Sequence, residues 1–332
     1  MDPKRMRKTT ALILNLIAGT ALAGAPEAPP PWAYGFKDAA PVAPAPPAPA
    51  IAPAPDPKLY TLPGSTGKFT RAQIGDRFGP ADWFPGDHPA MPPIVANGKQ
   101  PDVWACALCH YPNGQGRPEN APIAGLPLDY FIAQMHAFRE GTRKSADARK
   151  ANTTVMANIA KGMTDDEIRQ AATYFSSMKA RPWIKVVETK TVPETTTSVG
   201  LFLPIAGGKQ EPLGARIIEV PENVEEVEVL RNPRVGFIAY VPQGYINRGA
   251  VLVATGRGKT QPCGTCHGKD LRGMGDVPSI AGRSPSYLMR QMVDMRSGTR
   301  TGPGAELMKP VVGQMNNADL MAVAAYVASR AP

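Results

Sequence analysis

Cys106-Ala-Leu-Cys109-His110 and Cys263-Gly-Thr-Cys266-His267 are two copies of one pentapeptide, and their reading decides the fold. Cys-x-x-Cys-His is the attachment signature of c-type haem. The two thiols form thioethers with the haem vinyl groups, and the adjacent imidazole turns back to the iron. The motifs use all four cysteines of the 332-residue chain, so no thiol is left for a disulfide. A four-thiolate zinc site is the competing reading. Zinc has no need of a His at the same place in both pairs, and the separation of Cys106 from Cys263 exceeds ordinary finger spacing. A thioredoxin-like redox pair lacks a βαβ context. Two haem c groups are therefore expected, bound through Cys106, Cys109, Cys263 and Cys266, with His110 and His267 as iron ligands.

The motifs sit in a repeat. Moving Cys106 onto Cys263 also places Ile123-Ala124-Gly125 on Ile280-Ala281-Gly282, Gln134-Met135 on Gln291-Met292 and Gly141-Thr142-Arg143 on Gly298-Thr299-Arg300. After a five-residue insertion in the first copy, Met156 matches Met308, Met163 matches Met315 and Tyr174 matches Tyr326. The expected domains are 92–182 and 243–332. Each is small enough that the haem would supply much of the apolar core. Leu128, Phe131, Ile132, Met135 and Phe138 follow helical spacing, with Gly141 placed as a C-terminal cap. Thr164 and Glu167 form a capping box that opens a closing helix. A helix before each motif is expected as well; 248–255 suits it, and 92–98 is poorer.

The second axial position decides between carrier and catalyst. A thioether raises the potential and closes the iron, whereas an open position admits peroxide. Met163 and Met315 directly precede the closing-helix caps, where they staple against Ile168 and Leu320. Met156 and Met308, expected in a loop before that helix, are the better iron ligands. His88 and His136 have no counterparts in the other copy and read as structural.

Residues 1–23 read as a Sec-type signal peptide: Lys4, Arg5, Arg7 and Lys8, an apolar run, then Ala21-Leu22-Ala23. Residues 24–57 are Pro- and Ala-rich and predict an extended, disordered tether. An N-terminal extension fills 58–91. Between the repeats, 183–242 predicts a β-rich connector with strands at 183–187, 215–220, 224–230 and 235–241. The formal charge of +9 includes four basic residues and Asp2 of the signal. Removing these and adding four propionates leaves about +2, and no basic cluster suits nucleic acid.

With these residues in view, each repeat resembles a class I cytochrome c, and the pair resembles the di-haem periplasmic cytochromes of the c-four type. The resemblance covers about 180 residues. It implies a mainly α fold of two tandem domains and a carrier with His/Met iron in both. It also implies redox partners: a quinol-oxidising complex or periplasmic dehydrogenase as donor, an oxidase or reductase as acceptor. Membrane contact is expected only through partners or an uncleaved signal anchor. Two readings compete: a di-haem peroxidase, and the cytochrome subunit of a dehydrogenase. In such cytochromes a proline carbonyl orients the proximal imidazole; Pro278 suits that role, but Ala121 stands at the equivalent position.

Overall fold

The computed structural model describes residues 27–39 and 56–332. The expected signal peptide, 1–23, lies outside the described residues, as do 24–26 and 40–55 of the expected tether.

The two repeats form the same succession of helices. In the first these are Pro93–Ala96, Cys106–His110, Leu128–Glu140, Ala151–Gly162 and Asp165–Ser176. In the second they are Tyr245–Thr255, Gly264–His267, Pro285–Arg296, Pro303–Gly313 and Asn317–Ala328. Local chemistry explains the boundaries. Gly141 ends its helix at φ 74°, a left-handed value that glycine adopts at little cost. Thr164 and Glu167 form the reciprocal capping box, and Asn316 accepts from the Asp319 amide at the matching place. The helix before the first motif is a single turn, with Pro93 at its start. Its counterpart has eleven residues and packs so tightly on Asn317–Ala328 that a Cβ at Gly249 would lie 2.0 Å from the Ala322 carbonyl oxygen.

Two apolar cores follow from these helices. One holds Phe131, Met135, Met163, Ile168 and Phe175, the other Met289, Met292, Met315, Leu320 and Val323. Met156 and Met308 correct the sequence reading: both lie within helices, Ala151–Gly162 and Pro303–Gly313, rather than in loops. Val155, Met156, Ile159 and Ala160 do recur with helical spacing, and Pro303 starts the second of these helices at a position where a missing N–H is harmless.

The connector is β-rich. Phe237–Pro242 is the central strand of three, parallel to Ile184–Thr189 and antiparallel to Ile218–Pro221. Two small hairpins pair Thr191–Pro193 with Gln210–Pro212 and Thr195–Ser198 with Leu201–Pro204. The second turns through Val199-Gly200, both at positive φ. The strand expected at 224–230 is instead a helix, Val224–Glu228. The Asn223 side chain caps it by accepting from the Glu226 amide, and Glu225 and Glu226 lie in its first turn, where the helix dipole favours acids.

The expected tether is also corrected. Pro31–Tyr34 forms a 3-10 turn whose Trp32, Ala33 and Tyr34 are buried in the second core. Aromatics within the Pro/Ala composition supply apolar area that the prolines lack. The 58–91 extension adds Leu62, Ile74, Trp83 and Phe84, which enclose Leu230 of the connector. Trp83 Nε1 donates to the Leu230 carbonyl at 2.7 Å. Among the described residues no helix is long and apolar enough to cross a membrane.

Candidate haem sites

Each motif occupies a short helix that ends on its histidine, Cys106–His110 and Gly264–His267. Both imidazoles are buried. His110 Nδ1 lies 2.8 Å from the Ala121 carbonyl oxygen, and His267 Nδ1 lies 2.8 Å from that of Pro278. Donation to the carbonyl places the proton on Nδ1 and leaves the Nε2 lone pair for iron. The orienting group is the carbonyl and not the proline ring, so Ala121 serves as well as Pro278. Burial pushes both imidazoles below the usual histidine range, and the carbonyl bond opposes that shift. The neutral, ligating form is thereby favoured.

The residue after each histidine has an unusual backbone. Gly268 stands at φ 80°, ψ 156°, and Tyr111 at φ 61°, ψ 157°. That region belongs to glycine, so Tyr111 is held there under strain. Sequence reasoning missed this position; the aligned Tyr111 and Gly268 were its only signal.

None of the four cysteines forms a disulfide. Burial pushes the Cys106 thiol up to about 12 and that of Cys263 to about 11. A cavity of about 120 Å³ opens beside the first motif. Cys106, Cys109 and His110 line it at one side, with Phe131, Met156, Met163 and Phe175 among its apolar walls. Arg143, Lys150, Tyr287 and Arg290 line its polar side, so the second half contributes to the same chamber.

The polar side tests whether haem fits. The Lys150 ammonium is buried and has no hydrogen-bond partner among the described residues, and burial pushes it down to about 7. Arg143 donates to Gln134, Gln291 and Tyr287; Arg300 donates to Gln291, Gln134 and Tyr130. All these hydrogen-bond partners are neutral. Glu119 and Asp294 also line the chamber, but neither makes an ion pair with Arg143, Lys150 or Arg290 among the described residues. Buried cations without close pairing are costly unless an anion joins them. Haem propionates are such anions, and the thiols, imidazole and apolar walls suit the rest of the macrocycle.

The methionine pairs differ in placement. Met163 and Met315 are within the cores at 5% and 3% exposure, together with their stapling partners Ile168 and Leu320. Met156 and Met308 are half-buried at the core edge, as are Cys106 and Cys263. Met163 also borders the cavity, so burial rather than proximity separates the two pairs. The other two histidines have other partners. His88 bonds Asp82 and Tyr174, and His136 pairs with Asp165 at 3.3 Å.

Two thiol–imidazole motifs on helical frames, one facing a chamber rimmed by the cations Arg143, Lys150 and Arg290, define a protein that binds haem c covalently. A cytochrome c family model matches residues 95–179. The chain is 35% identical over 78 residues to cytochrome c-554(548) of Halomonas halodenitrificans, which spans 23% of this chain and 94% of that one. It is 23% identical to cytochrome c4 of Pseudomonas aeruginosa, over 69% of this chain and 85% of that one. The thiosulfate dehydrogenase electron acceptor of Thiomonas intermedia is 25% identical, over 69% and 80%. The chain belongs to the cytochrome c family and is a di-haem member of the c4 type, carrying two haem c groups and transferring electrons between redox proteins.

Proposed function

We propose that this cytochrome is a periplasmic electron carrier in which one imidazole and one thioether would hold each haem iron: His110 with Met156, and His267 with Met308. The observation that carries the reading is the matched arrangement of the two sites. Each imidazole is fixed by one carbonyl at 2.8 Å, and each repeat sets a half-buried Met and a motif Cys on the edge of one core. Haem c, when bound, supplies a one-electron Fe(III)/Fe(II) couple. The chain's part is to hold the ligands still, so that little reorganises when charge arrives, and to exclude water with Phe131, Phe175 and the methionines. Buried cations at the chamber edge offset the propionate charge.

The two haem domains run over 92–182 and 243–332, joined by 183–242, with 1–23 as the export signal. The similarity to a thiosulfate dehydrogenase electron acceptor supports a periplasmic dehydrogenase as donor. A quinol-oxidising complex would serve the same entry, and an oxidase or reductase the exit. Rapid mixing of the reduced and oxidised holoprotein with hydrogen peroxide tests the carrier reading. Two fully ligated irons leave the spectrum unchanged over the seconds in which a peroxidase turns over. A fast ferryl-type change in either half would replace the carrier with a peroxidase.

A further inference from the structure

The two motifs share one geometry but not one environment. From Val103 to Asn120 no residue is exposed. The connector provides much of that cover. Arg231 donates to the Leu108 carbonyl and lies over the Tyr111 ring, 5.7 Å from its centroid. Asn113 donates to the Pro233 carbonyl at 2.9 Å, and Gln115 to that of Val235 at 3.0 Å. Arg117 pairs with Glu119 at 2.6 Å and reaches Glu228 at 3.8 Å.

At the aligned positions of the second repeat, the connector makes no such hydrogen bonds among the described residues, and Thr265, Lys269, Arg272 and Met274 are exposed, Met274 to 58%. The substitutions run in one direction. Gln115, which bonds the connector, aligns with Arg272; Arg117, which pairs with Glu228, aligns with Met274. Arg257, Lys269 and Arg272 make no ion pair among the described residues. Asp270 and Asp276 offset two of the three, while Lys259 and Arg248 share the single carboxylate of Asp319. Over 257–277, Arg257, Lys259, Lys269 and Arg272 outnumber Asp270 and Asp276, so this stretch is net positive around the exposed Met274 thioether.

We propose that the connector closes the first motif to macromolecular partners and that the face around Cys263–Val277 is the docking surface, fitted to a redox protein with an acidic contact rim. This rests on the electron-carrier reading. Electrons from the first haem then leave through the second.

Ferricyanide is the anionic probe for the test. Each ion takes one electron as its iron goes from Fe(III) to Fe(II), so the fully reduced holoprotein consumes two. Stopped-flow oxidation is compared for wild type, K269E/R272E, and the control K185E/K209E, which makes the same charge change on exposed connector lysines. At low ionic strength K269E/R272E should slow oxidation of both haems about threefold or more, and the difference should fade in high salt. The control should stay within experimental error. Equal slowing by the two variants would overturn the proposal. So would slowing of only half the absorbance change, which would give the first haem its own exit and leave the carrier reading intact. Wild type that passes no electrons to ferricyanide would remove both. Hydrogen exchange gives a second readout: amides at 106–120 should exchange more slowly than those at 263–277, and equal exchange would contradict the cover.

Discussion

At the residue scale, one atom decides each proximal site. The imidazole is oriented by a backbone carbonyl, so side-chain changes at 121 or 278 should matter little while the loop keeps its course. Met156→Ala is expected to remove the thioether band of one haem in the far-red ferric spectrum and lower its potential. Met163→Leu should keep the band and cost under about 1.5 kcal/mol of stability, measured by denaturant unfolding, because it nearly conserves volume. His88 offers a pH test. Burial alone would lower its basicity, yet the bonds to Asp82 and the Pro89 carbonyl outweigh it and raise the imidazole above its ordinary range. Its charged contact therefore adds stability that is complete below about pH 6.5 and is lost as pH rises through the raised value. Melting temperature of wild type relative to His88→Asn should fall across that interval; a constant difference would assign His88 no such role. The motif residues were legible because thioether and imidazole chemistry needs fixed spacing. Tyr111 was not, since a strained φ leaves no compositional mark.

At the scale of elements, Tyr245–Thr255 packs backbone-close against Asn317–Ala328 at Gly249. Gly249→Ala would set a Cβ against the Ala322 backbone and force the helices apart. A loss of about 1–3 kcal/mol in thermal or denaturant unfolding is expected, the usual cost of overpacking. Helices with strong caps, such as the one opened by Thr164 and Glu167, were readable from sequence. The helices carrying Met156 and Met308 were not, because the first lacks a side-chain cap and the second contains Pro310. Val224–Glu228 was misread for a related reason. Its Val and Glu pattern fits either period over so short a run, and the Asn223 cap tips it to helix.

Across the whole molecule, contacts distant in sequence bind the repeats together. The Thr142–Lys144 and Thr299–Thr301 segments meet through backbone hydrogen bonds of 2.9 and 2.7 Å, with Arg143 opposite Arg300. Arg290 ties three segments at once, donating to the Ala33 carbonyl at 2.7 Å and to that of Pro118 at 2.8 Å. Tyr34 donates to Asp294 at 2.7 Å beside them. Tyr34→Phe should cost about 1 kcal/mol or more, because it leaves a buried carboxylate oxygen with one donor fewer; unfolding curves that coincide with wild type would contradict this. Internal repetition revealed the paired repeats, but a composition rich in Pro and Ala concealed the anchor at Trp32 and Tyr34.

The most direct test of the central claim is a visible-spectrum redox titration of the mature holoprotein, with Met156→Ala and Met308→Ala beside it. Two low-spin haems of high potential, with each variant losing its own share of the far-red thioether band, is the expected result. A wild-type haem that is high-spin, or a band that survives both substitutions, would contradict His/Met ligation in that half.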